Sequence, residues 1–131
     1  MRNPVLLGLF LLHFTVFFPQ AAHAQSASEA IAPTEISADL GACSALITVV
    51  DANSKPIYAA KVATRIRYGM MGVKRLDLEA ATSPNGQVKF SSLPEALKKP
   101  MFITISKDGL DKVVEFRPDL RCHATFDVQL R

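Results

Sequence analysis

Cys43, Cys122 and His123, the single histidine beyond the first 24 residues, are the side chains best equipped for covalent or acid–base chemistry. Nucleophilic catalysis needs a nucleophile with a base in hydrogen-bond reach. His123 offers the base, and Ser44 or Ser106 the hydroxyl to set beside it. No Gly-x-Ser-x-Gly elbow exists to present such a serine, and His123 reads as an ordinary surface residue of a strand. Cys122 and His123 are adjacent, so on a strand they point to opposite faces and cannot chelate one ion together. Asp51 and Asn53 resemble the start of a calcium loop, yet the remaining ligands and the closing glutamate are missing. A turn held by Asx side chains explains them better. No glycine-rich phosphate loop is present. The residues predict no catalytic centre, no metal and no cofactor.

The stretch RYGMMGVKR, residues 67 to 75, is the other unusual feature. Two adjacent methionines lie between glycines, and cations bracket them. One reading is a hairpin loop in which Met70 or Met71 folds back over the end of the core, because methionine adapts to irregular gaps. The other is an apolar tip ringed by Arg67, Lys74 and Arg75, suited to an acidic protein groove or an anionic envelope surface. Arg67, Met70, Met71, Lys74 and Arg75 are the candidate partner contacts.

These residues need a compartment and a scaffold. The opening MRNPVLLGLFLLHFTVFFPQAAHA has the form of a signal peptide, residues 1–24. Arg2 is followed by an apolar run from Val5 to Phe18, and Ala22-His23-Ala24 places small residues where a signal peptidase inspects them. The run is about 14 residues, too short to cross a hydrocarbon core of roughly 30 Å comfortably; an uncleaved anchor is the competing reading. No cysteine stands just after the cleavage point to take a lipid. Cleavage leaves 107 of the 131 residues, enough for one domain. The whole chain has a formal net charge of +3, which falls to about +2 without Arg2. That balance does not point to nucleic acid, which usually demands a strongly basic face. No other stretch is apolar for long enough to span a membrane. In an oxidising compartment Cys43 and Cys122 predict one disulfide, the alternative being two buried thiols.

Residues 25–42 are rich in Ala and Ser without a sustained apolar period and read as a flexible leader, with local order near Ile36. From Cys43 onward short apolar runs alternate with turn residues. CSALITVVD is followed by the turn DANSKP. AAKVATRIRY sets Val62, Thr64, Ile66 and Tyr68 on one side and Lys61, Ala63, Arg65 and Arg67 on the other, the alternation of a half-buried strand. VKRLDLEAAT, QVKFS, MFITISK, LDKVVEF and CHATFDVQL complete seven strands. Ser92 and Glu95 have capping-box spacing, which predicts one helical turn stopped by Pro100. Matching the inward faces of the second and third strands sets Ile66 opposite Leu76, Arg65 opposite Asp77, and Arg67 opposite Arg75. Seven short strands without room for crossover helices predict an all-β, seven-stranded Greek-key β-sandwich over residues 43–131. Both cysteines share strand faces with apolar residues. A parallel pairing of the first and last strands would therefore bring them within bridging distance.

Several of these residues resemble the carboxypeptidase regulatory-like domain of the transthyretin-like (prealbumin-like, Ig-like) β-sandwiches. The match runs through Val49, Val50, Asp51, Lys55-Pro56, Ala60 and Val62. It continues through Thr82, Asn85-Gly86, Phe90 and Leu93-Pro94, and then ITISKDGL. Ser83 stands where an aspartate is common, Leu110 replaces the usual tyrosine after Gly109, and EALKKP lengthens one connection. The resemblance implies a structural or adhesive unit and very little chemistry. One relative with this sandwich, 5-hydroxyisourate hydrolase, uses histidines, an arginine and a C-terminal Tyr-Arg-Gly-Ser. This chain ends in Val-Gln-Leu-Arg, and that site does not carry over. The expectation is a non-catalytic module, periplasmic or secreted, whose partner is a protein or envelope component. A small-ligand or carbohydrate-binding sandwich is the alternative, and a degenerate hydrolase a third. The intact mass of exported protein is expected to start at Gln25 without acyl chains; a mass retaining Met1 to Ala24 would reject the processing.

Overall fold

The computed structural model describes residues 30–131. The segment read as a signal peptide and the first part of the leader lie outside the described residues. Eight strands follow one another: β1 (Thr34–Ser37), β2 (Cys43–Val50), β3 (Lys61–Tyr68), β4 (Lys74–Ala81), β5 (Gln87–Leu93), β6 (Met101–Lys107), β7 (Leu110–Phe116) and β8 (His123–Gln129). A short 3-10 turn, Met70–Gly72, joins β3 to β4. The strands form two four-stranded sheets, ordered β1-β5-β2-β8 and β4-β3-β6-β7, which together make a β-sandwich. No helix among the described residues is long and apolar enough to cross a membrane.

Strict alternation builds the core. In β2 the buried residues are Cys43, Ala45, Ile47 and Val49, and in β3 they are Val62, Thr64 and Ile66. Period-two burial is what a sheet with one covered face requires. Phe90 and Phe116 are the largest fully buried side chains, and Phe116 meets Phe126 edge to face with ring centroids 5.9 Å apart.

Two expectations need correction. Among the described residues there are eight strands rather than seven, because Thr34–Ser37, within the stretch read as a leader, forms β1. β1 pairs in parallel with β5, from Thr34–Val88 to Ser37–Ser91. The N–H groups of Ala38, Leu40 and Gly41 continue that contact onto the carbonyls of Ser91 and Ser92. Otherwise exposed strand groups on β5 thus recruit a segment with little apolar character of its own. The helical turn at Ser92 is absent, and residues 94–100 are irregular. Ser92 belongs to β5, has φ 53°, and its carbonyl accepts the Leu40 and Gly41 N–H groups. It is committed to the sheet and unable to cap a helix.

Thr82 and Gly86 hold the connections. Buried Thr82 accepts the Ala60 N–H on Oγ1 (2.8 Å) and donates the same hydroxyl to the Ile57 carbonyl (2.6 Å), pinning the segment that enters β3. Gly86 has φ 72°, and a Cβ there would stand 2.4 Å from the Val49 carbonyl oxygen. A side chain at this turn is excluded by both backbone conformation and space.

β2 and β8 run in parallel from Ser44–His123 to Val50–Gln129, with Cys43 and Cys122 just at or before their starts. The two cysteines form a disulfide, with Cα atoms 4.6 Å apart, that closes a separation of 79 residues. For a loop of that length the chain-entropy treatment gives a stabilisation of roughly 4.5 kcal/mol. Reductant should therefore lower the melting temperature substantially, and Cys43→Ala should reproduce that loss without reductant; unchanged melting in both would refute the bridge's contribution.

Candidate functional site

The β3–β4 hairpin carries the candidate contact residues at its end. Its register is Ile66–Leu76, Arg65–Asp77, Arg67–Arg75 and Tyr68–Lys74, as matching the inward faces predicts. Farther from the tip, charges are matched. Arg65 donates to Asp77 through Nε (2.6 Å) and a terminal nitrogen (3.3 Å), and this guanidinium holds the Asp77 carboxyl below its ordinary range. Lys61 and Glu79 pair at 3.2 Å. Toward the tip the matching stops. Arg67 directly opposes Arg75 with Lys74 beside them, and none of the three has an acidic partner within 4.0 Å among the described residues. Like charges directly opposite destabilise a strand pair.

The tip itself is apolar and strained. Met70 is 85% exposed and Met71 78%, so neither folds back over the core. Met71 also sits at φ 57°, ψ 15°, in the left-handed region where a side chain is disfavoured. Glycine or asparagine would occupy that position at less cost.

Next to the tip lies a groove of about 700 Å³, bounded by the end of β3, the tip and residues 96–102. Tyr68, Met71, Leu97 and Phe102 supply its apolar lining, with Phe102 54% exposed. Its charged lining is wholly cationic: Arg65, Arg67, Lys98 and Lys99. Of the predicted contacts, Arg67 and Met71 reach this groove. Arg67 and Arg75 also flank a smaller polar recess with Gly72 and Val73, while Met70 and Lys74 line neither. Leu97, Lys98, Lys99 and Phe102 are not among the contacts that the sequence predicts. The doublet Lys98-Lys99 before Pro100 is the available signal, and it falls within the expected helical turn.

The other candidate chemistry separates across the fold. Ser44 Oγ and His123 Nδ1 lie 2.8 Å apart on the exposed face of β2 and β8, whereas Ser106 is in the opposite sheet. No other side chain hydrogen-bonds the His123 ring among the described residues, so the pair lacks the orienting group that activates a serine. Asp51 Oδ1 accepts the N–H groups of Asn53 (2.8 Å) and Lys55 (3.0 Å), the Asx turn expected of it.

No protein-family model matches the chain, and no curated protein matches it. Among solved structures it is similar to BcpA, the major pilin subunit of Bacillus cereus. That likeness has a TM-score of 0.50 and 12% identity, over 70% of this chain and 30% of the pilin. It shows a shared sandwich fold, and this chain spans under a third of the pilin's length. Weaker likenesses are to the Bacillus anthracis TIE protein (TM-score 0.47, 11% identity, 69% of this chain and 16% of that one). Catechol 1,2-dioxygenase from Acinetobacter sp. ADP1 is similar at a TM-score of 0.46 and 13% identity, over 76% of this chain and 59% of that one.

Because Met71 is exposed and left-handed, Met71→Gly should stabilise the protein by up to about 1 kcal/mol. Met70→Ser with Met71→Ser should leave the melting temperature nearly unchanged. A clear drop in the double serine variant, measured by thermal denaturation, would show that the tip packs on the fold.

Proposed function

We propose that this chain is a non-catalytic, exported interaction or structural module of the cell envelope, built on a carboxypeptidase regulatory-like sandwich. Its partner contact is the β3–β4 tip. The observation that carries this reading is the exposure of Met70 and Met71 beside Arg67, Lys74 and Arg75, three cations without acidic partners among the described residues. Opposed arginines and a left-handed methionine each cost the isolated domain stability, and the two exposed methionines add little to it. Together these features support reading the tip as a contact surface.

The Cys43–Cys122 disulfide supports an oxidising location, periplasmic or extracellular, as does the signal-like opening of the sequence. The exposed and unoriented Ser44–His123 pair favours a module over a hydrolase. The test places a photo-crosslinking amino acid at Met70 and irradiates intact native envelopes. One discrete crosslinked partner is expected, with loss of that product when Arg67 and Arg75 are changed to Glu. Crosslinks no more discrete than those from a control position at Asn53 would overturn the assignment.

A further inference from the structure

Beside the tip the second sheet parts. β3 is paired with β4 over all eight residues to Tyr68–Lys74, but its ladder with β6 ends after four pairs at Thr64–Ile103. At the parting, the Phe102 carbonyl is taken by the Thr64 hydroxyl at 2.9 Å. From Arg65 to Tyr68 one flank of β3 thus has no strand partner among the described residues. In an antiparallel strand every second residue turns its N–H and C=O away from a given neighbour. The free flank therefore offers backbone groups to another extended chain, the basis of recognition by strand addition.

We infer that the groove binds an extended acidic segment of a partner protein. The segment lies along Arg65–Tyr68, with its carboxylates against Arg67, Lys98 and Lys99. This rests on the proposed role of the tip as a contact surface and names the partner's chemistry. Charge selects the occupant: among the described residues no acidic residue lines the groove, and of its four cations only Arg65 is paired, with Asp77. Shape narrows it further. The groove holds about 700 Å³ beside the free flank of β3, a recess that fits the side chains of an extended segment better than a planar bilayer surface. Four strand residues at roughly 3.3 Å each span about 13 Å, so the flank accommodates a segment of four or five residues. Alternation in such a segment gives it two faces, one set of side chains for the apolar lining and the other for the cations. An acidic residue alternating with an apolar one meets both.

The test uses the oxidised protein and two labelled hexapeptides, one alternating glutamate with valine and one alternating lysine with valine, followed by fluorescence anisotropy. The glutamate peptide should bind saturably and the lysine peptide should not. Lys98→Glu with Lys99→Glu should weaken binding about tenfold or more, and Phe102→Ser should weaken it as well, with melting temperatures unchanged. Equal binding of both peptides, binding undiminished in the Lys98 and Lys99 variant, or no saturable binding would overturn the inference. So would capture of phosphatidylglycerol vesicles without peptide binding, which would make the surface a lipid contact. Persistent crosslinks from Met70 with no peptide binding would remove the groove and leave the envelope role standing. Peptide binding without envelope crosslinks would do the reverse.

Discussion

The parallel pairing of β2 with β8 is the constraint on which the sandwich depends. Seven residue pairs join the first long strand to the last, and the disulfide fastens them where they begin. Parallel neighbours cannot be joined by a tight turn. The intervening chain must leave and return, and here it does so by passing between the sheets four times. The crossings to β3 and to β6 set alternating apolar residues of the second sheet against the face that carries Ile47, Val49 and Phe90. Buried Thr82 and the side-chain-free Gly86 fix where two of those passages turn.

Against that frame the β3–β4 hairpin divides into two halves with different demands. Near the core end, Arg65–Asp77 and Lys61–Glu79 follow the ordinary logic of cross-strand pairs. Near the tip, opposed arginines, a left-handed methionine and two exposed thioether side chains all run against it. The same end is where β6 leaves β3. Local stability and open surface trade against each other within one hairpin, and the boundary falls between Arg65 and Arg67.

Much of this was legible in the residues, and the exceptions have physical causes. The register of β3 on β4 follows from period two, because a slip of one residue would turn Ile66 and Leu78 outward. The pairing of Cys43 with Cys122 followed from faces shared with Ala45, Ile47, Ala124 and Val128. β1 was hidden because Thr34–Ser37 holds a single apolar residue, Ile36, and takes its strand form from β5 rather than from its own pattern. The spacing of Ser92 and Glu95 predicts a helical turn that does not form, because Ser92 is held in the sheet by contacts with Leu40 and Gly41. The groove had no sequence signal as a whole. It arises where β6 departs after Ile103, a tertiary event that brings Lys98, Lys99 and Phe102 beside Arg67.

The position of the disulfide also decides how the domain would bear a mechanical load. Tension applied along the chain from residues before Cys43 to those after Cys122 crosses directly between the two sulfurs. The 79 positions separating them lie off that path. Unravelled, they would lengthen the chain by roughly 270 Å, and the covalent link forbids that extension. What a pulling force can still act on is β1 at one end, held by a few hydrogen bonds to β5, and β8 at the other, which would have to shear along β2. The groove, the hairpin tip and the whole second sheet sit inside the shielded loop. Stretching the ends would leave the candidate contact surface intact.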